Sequence, residues 1–430
     1  MVKIKAVILA AGEGKRLRPF TYTRPKVLIP IAGKTLLEHI LSFLKPHSIT
    51  EVVFIVNYMK DKIINYLGDG TRYGMKFTYV EQPIAKGTAD ALQYAETAIG
   101  DDDFLMIYGD ILTHPDNISE ILSLYYENNP DAVVSGIVVS DVSKYAALIT
   151  EGEDLKKIIE KPPEGSVNSN LANAGIYIFN KKIFDAIRKT KISQRGEYEL
   201  TDSIRILIEQ GSKVVVSQLE KWWLDVGRPW NILDANKYLL EELTETQING
   251  TIEENVTIKG PVYIGKDALI RSGSYIVGPV YIDDGADIGP NNFIRSYTYL
   301  GKNTRIGNAC EVKGSVIFNN THIAHLSYVG DSVIGEDVNF GAGTITANLR
   351  FDDKSVKVIV KGNLVDSKRR KLGAFVGDNV KTGIQSMLMP GVKIGPNSWI
   401  GPGVIVERDV PSNSIILLKA STESRKLVKK

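Results

Sequence analysis

The sequence predicts two architectures in one chain of 430 residues: an α/β layer domain with a mostly parallel sheet, then a β-solenoid. Three observations carry this. Up to about residue 230, aliphatic strand-like runs alternate with helical stretches. A polar segment over 244–251 ends that pattern. Beyond it, Ile252, Ile258, Ile264, Ile270, Ile276, Ile282, Ile288, Ile294, Leu300, Ile306, Val312 and Phe318 recur every six residues.

In the first part, strands are expected over 5–10, 52–56, 77–79, 104–108, 132–139 and 176–179. Helices are expected over 35–44 and 88–99, with a last one over 230–243. Val7, Ile8 and Leu9 read as a strand buried on both faces, and the loop that leaves it is rich in glycine and positive charge. Its spacing fits neither a P-loop nor a dinucleotide fingerprint, since Leu17 stands where each needs glycine. What remains is a Gly12-x-Gly14 turn with Arg16, Arg18 and Lys26 around it. Glycines let backbone N–H groups approach an anion closely, and the cations can hold phosphate oxygens.

In the second part, small or β-branched residues such as Val256, Val262, Ala268 and Ser274 usually follow four positions after the aliphatic. A second train runs Val376, Thr382, Leu388, Ile394, Ile400 and Val406. Three hexads per turn make a triangular prism whose turns bury their aliphatics only against one another. The period fails twice. It slips by four residues between Phe318 and Ile334, and it is absent between Thr346 and Val376. These breaks hold "HIAHLSYVGD" and "NLRFDDKSVKVIV", and a solenoid interrupted in this way marks a functional face.

A net charge of +2 argues for neither a nucleic-acid coat nor a membrane surface. The single cysteine, Cys310, excludes a disulfide framework and fits a small-residue packing slot. His322 and His325 lack further ligands nearby, so a metal there is not expected. With no apolar run of 18 and no charged-then-apolar leader, the expectation is a cytoplasmic protein.

The N-terminal half resembles sugar-1-phosphate nucleotidylyltransferases through "LAAGEGKRLRPFTYTRPK", "EQPIAKGTADAL", "YGD", "EKP", "NAGIYIF", "GEYELTD" and "WLDVGRP", in family order. The C-terminal half resembles left-handed β-helix acyltransferases through "EVK", "HLSYVGD", "NFGAGTITAN" and Lys354. The likeness is nearest to the bifunctional N-acetylglucosamine-1-phosphate uridylyltransferase/glucosamine-1-phosphate acetyltransferase family. It implies a Rossmann-like nucleotidyltransferase domain over 1–229, a connecting helix and linker over 230–251, a left-handed parallel β-helix over 252–410 and a tail over 411–430. The basic end after Ser421 is expected to be largely disordered.

For the first domain, the resemblance implies nucleotide binding by Leu9, Gly12, Gly14, Arg16, Gln82, Gly87 and Thr88. Arg16 and Lys26 would be catalytic, holding the triphosphate and steadying the charge in transit. Glu160, Lys161, Asn173, Gly175 and Glu197 would bind the sugar phosphate. Asp110 and Asp225 sit at strand ends, where two carboxylates suit Mg²⁺. The opening loop has the longer form typical of glucose-1-phosphate thymidylyltransferases, and Asp225 stands where the bacterial bifunctional enzymes use asparagine. A pocket separates one methyl by only ~1–3 kcal/mol, so UTP and dTTP both stay open.

For the second domain, the resemblance implies a general base at His325, oriented by Glu311. Imidazole changes charge near neutral pH, which suits proton removal from an amine. Arg295, Lys313, Tyr328 and Lys354 would bind the sugar phosphate, Asn348 the amine region, and Asn339 the substrate. Ala342 fits a backbone contact to acetyl-CoA, the co-substrate, and Lys357 is a weaker candidate from the same loop. The run "SKRRK" over 367–371 reads either as a CoA phosphate contact or as a solvated charge run.

Together these imply acetylation of glucosamine-1-phosphate or galactosamine-1-phosphate, then nucleotidyl transfer to N-acetylglucosamine-1-phosphate or glucose-1-phosphate. The family's sites lie between neighbouring prisms, which implies a homotrimer. A monofunctional thymidylyltransferase with a structural or regulatory β-helix is the alternative; it predicts an unbroken hexad train. A catalytically silent scaffold would not need Arg16, Lys26, Asp110, Lys161 and Asp225 together.

Overall fold

Ile4–Leu9 is buried at nearly every position, as an unbroken aliphatic run requires of a strand covered on both faces. The computed structural model describes residues 4–424, so the last part of the basic tail, 425–430, lies outside the described residues. The chain divides into two compact units near Gly227. Two short segments, Lys15–Thr23 and Pro30–Gly33, pack with the second unit although the sequence places them early.

The first unit is built on a nine-stranded sheet. Lys76–Glu81, Glu51–Val56, Ile4–Leu9 and Asp103–Tyr108 lie side by side and parallel. Leu171–Phe179 comes next and runs antiparallel to both its neighbours. Beyond it, Ala132–Val138 and Val214–Gln218 are parallel, and the hairpin Ala146–Glu151 with Asp154–Glu160 closes the edge. The parallel block is therefore the side that carries the glycine loop, and its ligand crevice lies outside the strands' carboxyl ends. Leu36–Leu44 starts on a capping box in which Thr35 and Glu38 exchange hydrogen bonds. The helix expected over 88–99 is two shorter ones, Thr88–Gln93 and Glu96–Ile99, joined by a turn in which the Ala95 N–H donates to Leu92.

In the second unit three parallel sheets form the faces of a prism. Ile252, Ile270, Ile288, Ile306, Ile323 and Phe340 stack in one column, each on the next turn. These and their counterparts in the other two columns make one continuous apolar core, with Cys310 in a buried small-residue slot. Each turn covers the last, so the stability is close to one-dimensional.

The structure corrects the hexad reading at its end. Leu300 pairs with Ile317, not Phe318, because this turn is one residue short. Ile317 takes the core position, and Phe318 is released to pack on Phe20 with ring centroids 5.5 Å apart. The 230–251 segment is also not all connector. After the helix Asn231–Glu241, Gln247–Ile248 and Thr251–Ile252 already pair with the next turn. At the other end the prism continues past residue 410, with Ile415–Ile416 pairing to Trp399–Ile400. Between Thr346 and Phe375 the chain leaves the prism and forms the hairpin Lys357–Val360 with Asn363–Asp366, then re-enters so that Val376 stacks on Ile334.

The early segments are integral to this unit. Phe20 is fully buried against Phe318 and Phe375, and Thr23 donates its hydroxyl to Asp378 at 2.6 Å. Gly33 has a positive φ, and a Cβ there would fall 2.3 Å from the Tyr281 ring. Phe20→Ala is expected to destabilise the unit by about 3–5 kcal/mol, the range for truncating a buried Phe, read as a lower thermal midpoint. Among the described residues no helix is long and apolar enough to cross a membrane.

Candidate active sites

Leu9 ends the opening strand, and its carbonyl accepts from the Gly109 N–H at 3.0 Å. A Cβ at Gly109 would meet Val27 and that carbonyl within 3 Å, so the two strand ends touch only because the residue is glycine. The glycine loop follows. Gly14 has a φ of 67°, and a Cβ on Gly12 would lie 3.7 Å from Lys26 Nζ, so the loop backbone passes beside that ammonium. Lys26 Nζ donates to Asp110 Oδ2 at 2.5 Å, and both side chains are largely covered. Arg16 stands exposed on the turn Lys15–Leu17, which is anchored by the buried Leu17.

Asp225 stands opposite Ile111, the residue after Asp110, in a short antiparallel pairing of Ile111–Thr113 with Trp223–Asp225. The Val226 N–H donates to the Asp110 carbonyl at 2.9 Å, which ties the backbone of the two segments together beside Asp110. Among the described residues no group of three His, Cys, Asp or Glu side chains could hold a metal. Two carboxylates do fit Mg²⁺, which completes its shell with phosphate oxygens and water.

Gln82 is buried, and its amide NH₂ donates to Asp90 at 2.6 Å. That contact fixes which end of the amide is the acceptor. Gly87 has a φ of 125°, and a Cβ there would fall 2.4 Å from the Tyr198 carbonyl, so this loop is pinned to the chain before Leu200. Thr88 accepts from the Leu200 N–H at 3.0 Å, a structural tie.

Asn173 and Gly175 lie where the register of Leu171–Phe179 shifts, and such a bulge re-aims side chains at a strand end. Asn173 donates to the Tyr177 phenol at 2.7 Å and accepts from the Gly175 N–H. Gly175 faces Tyr108, whose phenol is pushed well above its ordinary pKa by burial and by Tyr177 beside it. Glu160 accepts from Arg195 at 3.0 Å and from the Thr201 hydroxyl at 3.2 Å. Lys161 is exposed with a φ of 39°, and Glu197 is exposed near Arg195. Burial pushes the Glu199 carboxyl up, although the same Arg195 guanidinium pairs with it.

The second unit carries a separate cluster. Phe293, Glu311, Tyr328 and Ile345 stand in register on successive turns of one face. Arg295 lies over the Phe293 ring and pairs with Glu311 at 2.8 Å. Lys313 Nζ contacts both oxygens of Asp331 at 2.8 Å. Asn348 donates to Asp331 at 2.6 Å and to the Tyr328 phenol at 3.0 Å. Burial, with Asp331 next to it, pushes the Tyr328 phenol up.

His325 ends the strand His322–His325 at the adjoining corner and is exposed. The next turn crosses the same corner at Ala342–Gly343, where the Gly343 N–H donates to the His325 carbonyl at 3.1 Å. Asn339 is exposed in the row of His322, on the neighbouring face from Tyr328. Glu311 is engaged by Arg295, and among the described residues no hydrogen bond joins it to His325, so the expected orienting contact is not made here. Lys354 and Lys357 stand exposed on the inserted segment. The "SKRRK" run is not simply solvated: Arg369 pairs with Asp234 and Arg370 with Asp353.

A nucleotidyl transferase family model matches residues 5–242, and a model of the bacterial transferase hexapeptide, six repeats, matches 373–408. The chain is 48% identical over 422 residues to "Bifunctional protein GlmU" of Methanocaldococcus jannaschii, covering 98% of this chain and 99% of that protein. It is 47% identical to the "Bifunctional sugar-1-phosphate nucleotidylyltransferase/acetyltransferase" of Sulfurisphaera tokodaii, covering 95% of this chain and 98% of that one. This chain belongs to the bifunctional sugar-1-phosphate nucleotidylyltransferase/acetyltransferase family. Among solved structures, a UDP-glucose pyrophosphorylase bound to UDP-glucose is similar at a TM-score of 0.52 and 25% identity, over 56% of this chain and 100% of that one.

As a member of this family, the chain is an enzyme with a nucleotidyl-transfer half and an acetyl-transfer half. Sequence reasoning missed three residues that hold the candidate side chains: Asp90 behind Gln82, Arg195 between Glu160 and Glu199, and Asp331 between Lys313 and Asn348. Asp331 had a signal, since it follows "YVG" in a quoted motif and shares the first break of the hexads. Asp90 and Arg195 had none beyond falling inside or beside motifs.

Proposed function

We propose that this enzyme transfers an acetyl group from acetyl-CoA to the amine of glucosamine-1-phosphate, and then couples the product to UTP or dTTP. The cluster of Arg295, Glu311, Lys313, Tyr328, Asp331 and Asn348 beside exposed His325 carries the acetyl-transfer reading. It sits where the prism departs from its period, as a purely structural solenoid would not require.

In the second domain the substrate amine attacks the thioester carbonyl, a C–N bond forms, and the C–S bond breaks to release CoA. His325 takes the amine's proton. Arg295 and Lys354 hold the sugar phosphate, with Lys313 and Tyr328 beside it. Asn348 contacts the amine, Asn339 adds a substrate contact, and the backbone at Ala342 meets acetyl-CoA. Lys357 is an extra contact from the insertion.

In the first domain the sugar's phosphate oxygen attacks the α-phosphorus and pyrophosphate leaves, so help consists mainly of positioning and charge neutralisation. Gly12, Gly14 and Arg16 hold the triphosphate, and Lys26 follows the charge. Gln82, set by Asp90, reads the pyrimidine edge beside Leu9 and Gly87. Glu160, Lys161, Asn173, Gly175 and Glu197 hold the sugar phosphate. Asp110 and Asp225 would hold Mg²⁺, which supplies charge neutralisation at the phosphates.

The outward rows of the prism expose Phe293, Ile345, Met387 and Ile405 on the face of Tyr328. Such an apolar stripe beside a site suits neighbouring copies, and we assign the assembly as a homotrimer acting in the cytoplasm. The test is thiol release from acetyl-CoA with glucosamine-1-phosphate and with galactosamine-1-phosphate, no nucleotide present, followed by pyrophosphate release on adding UTP or dTTP with Mg²⁺. Light scattering of the same preparation is expected to read three times the 47.4 kDa chain mass. No CoA release from a folded chain, with pyrophosphate release intact, would leave a nucleotidylyltransferase with a structural prism.

A further inference from the structure

A side-chain amide has a donor end and an acceptor end that fill the same space. At Asn348 the surroundings decide between them. Asp331 Oδ2 lies 2.6 Å from one end, and a carboxylate only accepts, so that end is the NH₂. The same NH₂ reaches the Tyr328 phenol at 3.0 Å. Both of its hydrogens are thereby used, and among the described residues the Asn348 Oδ1 receives none.

Asp331 is itself held firmly. Its side chain is 8% exposed, and both oxygens lie 2.8 Å from Lys313 Nζ. Its N–H donates to the Lys313 carbonyl and its carbonyl accepts from the Gly373 N–H, each at 2.8 Å. A Cβ on Gly330 would fall 2.4 Å from the Tyr328 hydroxyl and 2.7 Å from Asn348 Nδ2, so these side chains converge over bare backbone.

We propose that Asp331 is a positioning residue that, by fixing the orientation of Asn348, makes the site read an amine. The inference rests on the acetyl-transfer reading above. With its NH₂ turned to Asp331, Asn348 offers only an acceptor to the substrate. A protonated amine is donor-only and matches it. A sugar hydroxyl can donate or accept, so it is indifferent to which way the amide points. If the amide turned over, its NH₂ would confront the ammonium and spoil the binding of the amino sugar alone.

Asp331→Asn removes the lock, because an amide at 331 can donate as well as accept. Calorimetric titrations without acetyl-CoA would compare glucosamine-1-phosphate with glucose-1-phosphate on the full-length enzyme. The variant is expected to bind the amino sugar about 10- to 100-fold more weakly, the worth of a hydrogen bond to a charged group, and the hydroxyl sugar within about two-fold of wild type. Asn348→Ala should give a similar selective loss, and adding Asp331→Asn to it should cost little more, since one residue acts through the other. Equal weakening of both sugars, no weakening of either, or additive losses would overturn the proposal. If Asp331→Asn does not fold, combining it with Lys313→Met removes the ion pair as a whole and is judged by the ratio between the two sugars. A wild type that neither binds glucosamine-1-phosphate nor releases CoA overturns the acetyl-transfer reading, and this inference with it. An active wild type with an unchanged ratio in the variant overturns this inference alone.

Discussion

Replacing His325 by alanine is expected to lower CoA release by about 10²–10⁴-fold, the usual worth of a general base, with pyrophosphate release at the other site unchanged. The side chain is exposed at a corner of the prism and its removal uncovers no core, so the melting midpoint should hardly move. The expected signature is a fall in kcat with little change in KM for acetyl-CoA, since the imidazole serves the proton and not the thioester. A variant that keeps full CoA release would remove His325 from the chemistry. Glu311→Gln is informative beside it. Because Glu311 is engaged by Arg295 here, its loss is expected to act chiefly through the sugar-phosphate end and to raise KM for the amino sugar.

The second large effect is expected at Asp110. Asp110→Asn should reduce nucleotidyl transfer on the order of 10²–10³-fold, comparable to removing one preorganised electrostatic contact, and leave acetyl transfer intact. Two losses combine: the Lys26 ammonium loses its partner at 2.5 Å, and the Mg²⁺ site proposed at Asp110 and Asp225 would lose a charge. Breaking one side of a largely covered ion pair can also cost ~3–5 kcal/mol, so unfolding is recorded alongside. A folded variant whose pyrophosphate release persists at wild-type rate and wild-type Mg²⁺ dependence would show that this carboxylate does neither task.

Some of this was legible in the sequence. The column Ile252–Ile270–Ile288–Ile306 can be read directly, because the aliphatics that stack are the aliphatics that recur. The parallel block around Ile4–Leu9 is legible for a similar reason, since strands covered on both faces lose their polar positions. The antiparallel Leu171–Phe179 at the sheet's centre was not, as a buried strand shows no direction in its composition. Phe318 misled because a large apolar residue sits one place from the true core position, and only stacking on Leu300 distinguishes it from Ile317. The motifs supplied the residues proposed to meet substrates. The carboxylates behind them escaped because Asp90, Asp331 and their partners meet through space, and a lone aspartate in the first turn of a helix or at a bend is unremarkable in sequence.

The burial of Phe20 against Phe318 and Phe375, with Thr23 tied to Asp378, bears on how the chain is made. Thr23 and Asp378 are 355 positions apart. At about 5–20 residues per second, a ribosome needs roughly 20–70 s to deliver the second after the first. Throughout that interval the loop bearing Arg16 has emerged while the surface it packs on does not yet exist. The nascent chain must therefore keep an apolar ring and its flanking turn from misassociating until nearly nine-tenths of the polypeptide is complete.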